Sequence, residues 1–208
     1  MTVTVTFEPL RHEYRVGGVI VPHVTGIIRA LSGYAGVPAE ALRKAAERGD
    51  AVHYATHLSD LDDLDETSLP IEIVGYVAAW RLLVEETGFR VIASEARVDS
   101  ARYRYAGTLD RVGTFSRLKH MRPSAICEVD LKSVATLMAA VGPQTAGYMQ
   151  AWNEQHPRKK RIEYRFAAHL RADGTYRLHE CTDPSDWSVF LSALTISNWQ
   201  RRHKQEEQ

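Results

Sequence analysis

The sequence predicts one α/β domain in which a mixed central β-sheet is flanked by helices. Its 208 residues fit a single domain over residues 1–208, because domains average about 150 residues. A hydrophobic content of 44% with 25% charged residues suffices for a buried core and excludes a disordered chain. Strand-like segments concentrate between residues 89 and 133, and helical segments lie on both sides of them.

The first 88 residues are expected to supply a small sheet followed by helices. Polar and apolar residues alternate at the start, as in a half-buried strand, and Gly17-Gly18 closes a predicted hairpin. Pro38 stands near the start of the second helix, where its fixed φ suits a first turn, and Gly88 sits where the third helix needs a C-terminal cap. The predicted strands are 2–7, 12–16 and 19–21, and the predicted helices are 24–31, 38–57 and 70–88.

An acidic run lies between the second and third helices. Residues 60–66 carry five carboxylates, but Leu64 occupies a calcium-ligand position and the glycine of a calcium-binding loop is missing. We therefore expect a solvated loop over residues 60–66.

Residues 89–155 are expected to form the central core. Short links between the strands imply antiparallel neighbours, and Gly142-Pro143 starts the helix that follows. A hairpin around Asp173-Gly174, a helix capped near Asp183 and a polar tail from residue 203 complete the chain. The predicted strands are 91–98, 103–105, 107–115, 125–133, 162–170 and 175–181, and the predicted helices are 142–152 and 183–201.

The most informative polar residues lie on two of the predicted strands. Asp110 follows Gly107 by three residues, and Asp130 lies twenty residues further on, between Glu128 and Lys132. Because side chains alternate along a strand, Glu128, Asp130 and Lys132 share one face. Mg²⁺ prefers carboxylate oxygens, and a nearby ammonium group can position a water and offset developing negative charge. These residues therefore form a candidate site for phosphodiester hydrolysis.

The same residues also have a purely structural interpretation. Asp110 with Arg111 is open to a role in a turn or an ion pair. Asp130 and Lys132 are equally open to a place on the polar face of an exposed edge strand. These residues alone do not decide between the two interpretations.

Two predicted helices carry further candidates. Gln144 and Tyr148 lie four residues apart, so an amide and a phenol share one helix face and can contact a nucleotide, whereas Trp152 is expected in the core. His53 completes the pattern Gly-x-x-Val-His, in which Gly49 fits a close approach of the helix to the sheet. A lone histidine on a helix is more often a surface or core residue than a metal ligand.

The order Gly-x-x-Val-His, Gly-x-x-Asp, Asp-x-Lys and Gln-x-x-x-Tyr resembles the PD-(D/E)XK nucleases, specifically their RecB-like branch. The resemblance covers residues 24–152, and the segment 24–28 is similar to the first helix of that branch. Each motif is weak alone, and four in order at suitable spacing are fairly specific. The resemblance implies a restriction-endonuclease-like fold with residues 89–155 as its catalytic core and residues 156–203 as a C-terminal hairpin and helix.

By position, the resemblance also implies functional residues. The set comprises the catalytic Lys132, Asp110 and Asp130, the metal ligands His53, Asp110, Asp130 and the carbonyl oxygen of Leu131, and the substrate-binding Gln144 and Tyr148. Glu95 resembles an acidic residue on the strand that enters this core. Glu128 replaces the apolar residue often found there, which suggests a supporting base or a competing ligand.

The activity implied is Mg²⁺- or Mn²⁺-dependent hydrolysis of DNA, with an exonuclease of recombination or repair favoured. The alternatives are a structure-selective or nicking endonuclease of the same fold and a DNA- or partner-binding module that does not cleave. CRISPR-associated members carry four cysteines for an iron–sulfur cluster; with only Cys127 and Cys181, no such cluster is expected. Phage-type recombination nucleases fit best in size. The expected partners are DNA and a recombination or single-strand-annealing protein, and an oligomer is left open.

Charge and composition limit the possible binding partners and cellular compartment. Lys plus Arg and Asp plus Glu each number 26, which excludes a highly basic DNA-coating protein. The sequence starts without a basic segment, has two cysteines and contains no long apolar run. These features favour a cytoplasmic protein with no membrane association. If the protein is phage-encoded, the compartment is the host cytoplasm. Two basic clusters fit phosphate contacts, with solvated loop charges as the alternative. They comprise Arg102, Arg104, Arg111, Arg117, Lys119 and Arg122, and the run 158–161.

Overall fold

A computed structural model describes residues 5–31, 36–156 and 160–206. It has an α/β fold in which a five-stranded mixed sheet is flanked by helices, as the sequence predicts. The elements in chain order are β1 (Val5–Glu8), β2 (Glu13–Val16), β3 (Val19–Val21), α1 (Val24–Ile28), α2 (Ala39–Asp60), α3 (Ile71–Thr87), β4 (Phe89–Ser100), β5 (Tyr105–Phe115), β6 (Ile126–Lys132), α4 (Val141–Gln155), β7 (Ile162–Leu170), β8 (Tyr176–Glu180) and α5 (Asp186–Glu206).

The N-terminal strands form a separate three-stranded antiparallel sheet in the order β1-β2-β3. The predicted hairpin is confirmed, and Gly17 and Gly18 turn it with φ of 57° and 81°, a backbone region that only glycine enters at little cost. Residues 2–4 of the first predicted strand lie outside the described residues. This small sheet is joined to the main one where Ala106 donates its N–H to Pro22 O at 3.1 Å.

The main sheet has the strand order β4-β5-β6-β7-β8. The antiparallel neighbours predicted along the chain are confirmed for β4–β5 and β5–β6. Strand β7 lies parallel to β6, with α4 as the crossover between them, which makes the sheet mixed.

The strand predicted at 103–105 is wrong over its first two residues. Residues 101–104 form the turn between β4 and β5, in which Arg104 adopts a φ of 57°. The Ser100 carbonyl accepts the Arg104 N–H at 2.8 Å, and the Ser100 hydroxyl accepts the Tyr103 N–H at 3.0 Å. These local hydrogen bonds outweigh the strand preference of the tyrosines.

Each face of the main sheet carries its own hydrophobic core. On one face, Trp80 and Leu83 of α3 pack with Phe89, Phe115 and other side chains of the sheet. On the other face, α1, α4 and α5 pack against the sheet through buried aliphatic and aromatic side chains. The two helix layers cover the sheet on both sides, so polar groups from α2 and α4 can meet near the ends of its inner strands.

The second helix extends further than predicted. It runs one turn beyond His57 and ends at Asp60, so the solvated loop predicted for residues 60–66 is wrong at its first residue. The Asp60 side chain is only 5% exposed and accepts a hydrogen bond from Trp80 Nε1 at 2.8 Å. As the last helical residue, it points back toward the sheet.

The other predicted helices are present, with shifted ends. Helix α1 ends at Ile28, three residues before its predicted end, α4 extends to Gln155, and α5 begins at Asp186. Gly88 caps α3 with a φ of 62°, and its N–H donates to Val84 O. Helix α5 continues to Glu206, five residues beyond its predicted end, and the last two residues of the polar tail are outside the described range. Among the described helices, none is long and apolar enough to cross a membrane.

Candidate functional site

A cleft of about 460 Å³ opens where the N-terminal sheet, α2 and α4 meet the main sheet. Six of the residues singled out from the sequence line it, namely His53, Glu95, Asp110, Lys132, Gln144 and Tyr148. They come from five separate elements of the chain. The fold therefore brings together the motifs that sequence order alone left far apart.

The cleft is built on a fork between β5 and β6. These strands pair over only three residue pairs, the last of which is Arg111 with Val129. Continuing that register by one residue places Asp110 opposite Asp130. Beyond this point the Asp110 side chain replaces the backbone as hydrogen-bond acceptor, because its Oδ2 accepts the Leu131 N–H at 2.7 Å. A carboxylate thus replaces a backbone carbonyl in the ladder and is held in a fixed place.

His53 and two carboxylates form the centre of the site. His53 Nδ1 lies 3.4 Å from Asp110 Oδ1 and 3.7 Å from Glu95 Oε1. Its Nε2 lies 3.2 Å from the carbonyl oxygen of Leu131. One ligand atom from each of His53, Glu95 and Asp110 lies within 4.8 Å of the others, so this trio can close on one metal ion.

The electrostatics of the trio favour a positive charge at its centre. Burial lowers the pKa of His53, but the Asp110 and Glu95 carboxylates outweigh that effect and raise it to about 9. Burial, with added repulsion from Asp130, raises the pKa of Asp110 to about 6 despite the opposing His53. For Glu95, burial is outweighed by His53 and Arg111, which lower its pKa. A cation between these oxygens relieves their repulsion.

Glu95 occupies its place at the expense of backbone strain. Its φ is 50° within β4, a region that residues other than glycine rarely adopt. Its neighbours Ser94 and Ala96 pair with Arg111 and Leu109, so Glu95 stands opposite Asp110. Strained backbone of this kind clusters at functional sites.

Glu128, Asp130 and Lys132, predicted to share one face of β6, lie in different environments. Lys132 lines the cleft, and its Nζ lies 2.5 Å from Asp130 Oδ2. Asp130 is buried and lies outside the trio that can close on a metal. Glu128 is 1% exposed and does not line the cleft. Burial and the Asp130 charge raise the pKa of Glu128 well above its ordinary value.

Helix α4 contributes both of its predicted residues. Gln144 and Tyr148 line the cleft although each is largely buried. A Cβ on Gly107 would come within 2.7 Å of Tyr148 Cε1 and 3.2 Å of Val24 Cγ2, so the glycine of Gly-x-x-Asp admits the Tyr148 ring. Trp152 is confirmed as core, since it is buried and its Nε1 donates to Lys160 O at 2.8 Å.

Gly49 has a different environment from the one predicted. A Cβ at this position would meet only Ser133 Oγ, at 4.0 Å, which is ordinary contact. The close approach of α2 to the sheet predicted at Gly49 is therefore wrong. The residue lines the cleft instead.

A buried ion-pair network, not predicted from the sequence, lies behind the trio. Arg111 is fully buried and pairs with Asp60 and, at 3.0 Å, with Glu95. Its Nη2 donates to Thr56 Oγ1 at 3.1 Å, and its guanidinium lies over the Trp80 ring. The ion pair considered between Asp110 and Arg111 is not the one observed, because Arg111 donates to the backbone carbonyl of Asp110 at 2.8 Å and forms its ion pairs with Asp60 and Glu95. The available signal was spacing, since Thr56 and Asp60 follow His53 by three and seven residues on one face of α2.

The predicted basic clusters do not form one surface. Arg111 is buried, and the eleven residues of β5 separate the arginines before it from those after it, a span of about 35 Å. Arg122 also pairs with Glu163. Residues 158 and 159 of the second cluster lie outside the described residues, and Lys160 and Arg161 are exposed.

No protein-family model matches this chain, and no curated protein matches its sequence.

Proposed function

We propose that this protein is a divalent-metal-dependent DNA nuclease that hydrolyses phosphodiester bonds, with an exonuclease of recombination or repair favoured. One observation carries the proposal: His53, Glu95 and Asp110 converge within 4.8 Å in a cleft that Lys132 also lines. The four motifs in order and their resemblance to the RecB-like branch support it. Four motifs spread over about a hundred residues meeting in one cleft fit a shared role in chemistry.

The donor set fits Mg²⁺ or Mn²⁺. Both ions prefer hard oxygen ligands, and Mn²⁺ accepts an imidazole more readily. The oxygens would come from Asp110, Glu95 and the Leu131 carbonyl, and the nitrogen from His53. Asp130, opposite Asp110 on β6, would add a further carboxylate at the edge of the set. When bound, such an ion would polarise a phosphate oxygen and lower the pKa of a coordinated water.

In this proposal, Lys132 assists the attacking water. Its ammonium is held against Asp130 and faces the cleft. There it can orient a water by a hydrogen bond and offset the negative charge that develops as the new P–O bond forms and the bond to the leaving oxygen breaks. The attacking water releases its proton to solvent, and the leaving oxygen takes up a proton from solvent. Asp130 holds the ammonium in position.

In this proposal, Gln144 and Tyr148 hold the DNA backbone. Burial raises the pKa of Tyr148 well above its ordinary value, with Asp110 and Asp130 adding to the effect, so the phenol keeps its proton and remains a hydrogen-bond donor. The Gln144 amide provides further donors on the same side of the cleft. Phosphate contacts of this type do not depend on sequence.

The proposal is tested with the full chain and two forms of one plasmid, linear with labelled ends and covalently closed. Digestion in Mg²⁺ or Mn²⁺ that stops with a chelator is the expected result, and digestion of the linear form alone would identify an exonuclease. Cutting of the closed form would favour the endonuclease alternative. Binding of DNA without cleavage in either metal would contradict the proposal and favour a binding module.

A further inference from the structure

Aromatic rings line the cleft on the side of the N-terminal sheet and α2. His12, Tyr14 and His23 approach from the N-terminal sheet and the start of α1, and Tyr54 and His57 approach from α2. The carboxylates occupy the floor of the same cleft. A phosphate bound through a metal ion at those carboxylates would therefore have rings beside its own nucleotide.

The three N-terminal rings form one fixed cluster. Tyr14 and His23 are stacked with centroids 5.9 Å apart and an interplanar angle of 27°, and His12 packs edge-on against His23 at 4.7 Å. Tyr14 is anchored because its hydroxyl lies 2.8 Å from Thr108 Oγ1 on β5, two residues before Asp110. The rings are thus tied to the strand that carries a candidate metal ligand.

His23 is held as a neutral ring. Its Nδ1 accepts the Gly26 N–H at 3.2 Å and caps α1. Burial, with the nearby His12 and Arg201, lowers its pKa to about 4. A neutral imidazole in a fixed orientation offers a flat surface for stacking without a charge to desolvate.

Tyr54 lines the same cleft from α2 and is open to solvent. It is 65% exposed, although it follows His53 directly in the sequence and lines the cleft. A large ring kept in water beside a candidate active site is poorly explained by packing, because exposed apolar surface gains nothing from folding. A ligand with a flat face would cover it.

Away from the ends of a duplex, DNA offers such a face only where a base is unpaired. Inside a duplex each base is covered above and below by its neighbours, and proteins reach only its edges. Proteins that bind single strands place successive bases on aromatic side chains. A wall of rings next to the scissile phosphate is therefore useful only to an unpaired nucleotide.

We infer that the rings of Tyr54 and His23 form a base-stacking subsite, with the buried Tyr14 packed behind His23. The substrate then carries an unpaired nucleotide beside the scissile phosphate. Single-stranded DNA or a frayed or overhanging end satisfies this requirement, and an intact duplex does not. The inference rests on the proposed function and narrows its substrate class.

The test measures binding of fluorescently labelled DNA to the full chain in Ca²⁺, which is chosen to bind without supporting cleavage. A single strand without self-complementary segments is compared with the blunt duplex that it forms with its complement. Tyr54→Ala is expected to weaken single-strand binding by about 5- to 100-fold, and to change duplex binding little. Tyr54→Phe keeps the ring and should bind as the parent does. Tyr54 is exposed, so its replacement leaves the core intact.

Trp199→Ala is the matched control, because this residue is a 54% exposed aromatic on α5 outside the cleft. It is expected to bind both DNAs as the parent does. Equal parental affinity for the two DNAs, or an equal loss for both in Tyr54→Ala, would overturn the inference.

Cleavage in Mn²⁺, measured on the same variants, separates this inference from the proposed function. Cleavage of both DNAs with no effect of Tyr54→Ala overturns the stacking subsite and leaves the nuclease proposal standing. Ring-dependent single-strand binding without any cleavage supports the subsite and contradicts the nuclease proposal. An absence of both binding and cleavage overturns the two together.

Discussion

The Asp110 carboxylate accepts the backbone N–H of Leu131 at 2.7 Å, and this single contact fixes the geometry of the candidate site. It holds the fork between β5 and β6 at the point where ordinary strand pairing ends. The carbonyl oxygen of the same Leu131 faces His53. One peptide segment thus orients two of the three residues that can close on a metal.

Asp110→Asn separates the structural role of this side chain from its role in metal binding. The amide oxygen can still accept the Leu131 N–H, so the fold and melting temperature should change little. The lost charge should weaken Mn²⁺ binding in calorimetry by roughly tenfold or more. Asp50→Asn is the control, because Asp50 is an exposed acid that lines the cleft outside the trio. Equal Mn²⁺ affinity for Asp110→Asn and the parent would remove Asp110 from the ligand set.

Lys132→Arg tests the catalytic role of Lys132. The substitution keeps a cation beside the buried Asp130. The guanidinium keeps the positive charge, but its size and geometry cannot reproduce a compact ammonium next to a water. The variant should fold and bind DNA in Ca²⁺ as the parent does while cleavage falls far below the parental rate. Turnover within about tenfold of the parent, roughly 1.4 kcal/mol in barrier, would refute the assignment.

Two glycines are expected to respond to alanine in opposite directions. Gly107→Ala places a methyl group against the Tyr148 ring and should lower the free energy of unfolding by about 1–3 kcal/mol. Gly49→Ala meets open space within α2 and should raise it by up to about 1 kcal/mol. Urea unfolding followed by tryptophan fluorescence measures both. Stabilisation by Gly107→Ala would show that Tyr148 does not pack as described.

Arg111→Met is expected to be strongly destabilising. It leaves the buried Asp60 without its ion pair, and breaking a buried pair costs about 3–5 kcal/mol. Arg90→Met changes an exposed arginine on the neighbouring strand and should alter stability by about 0.5 kcal/mol at most. Similar unfolding midpoints for the two variants in urea would argue against a buried network around Arg111.

Local patterns predicted most of the secondary structure because those patterns reflect local physics. The helical spacing of apolar residues and the cap at Gly88 located α3, and strand alternation placed Asp130 and Lys132 on one face. The parallel pairing of β6 with β7 depends on contacts between distant segments, which periodicity cannot reveal. The turn at residues 101–104 escaped because the side-chain and backbone oxygens of Ser100 decide it locally.

The residues of the candidate site could be predicted from the sequence. Their arrangement in space could be predicted only in part. The sequence motifs named His53, Asp110 and Lys132, all of which line the cleft. The central place of Glu95 depends on a strained φ and on pairing with Arg111, neither of which leaves a mark in the sequence. Asp60 was assigned to solvent because charge runs are usually exposed, and its burial follows from one extra turn of α2.

The most direct test of the central claim, that His53 and its neighbouring carboxylates hold a divalent metal, is pulsed electron paramagnetic resonance of the protein loaded with Mn²⁺. A histidine ligand couples its ¹⁴N nucleus to the ion, so the parent protein should show that coupling. His57→Ala should keep it, because His57 lines the same cleft but has its Nδ1 2.7 Å from Ser94 Oγ. His53→Ala should abolish it. Absence of ¹⁴N coupling in the parent, or its survival in His53→Ala, would contradict the account.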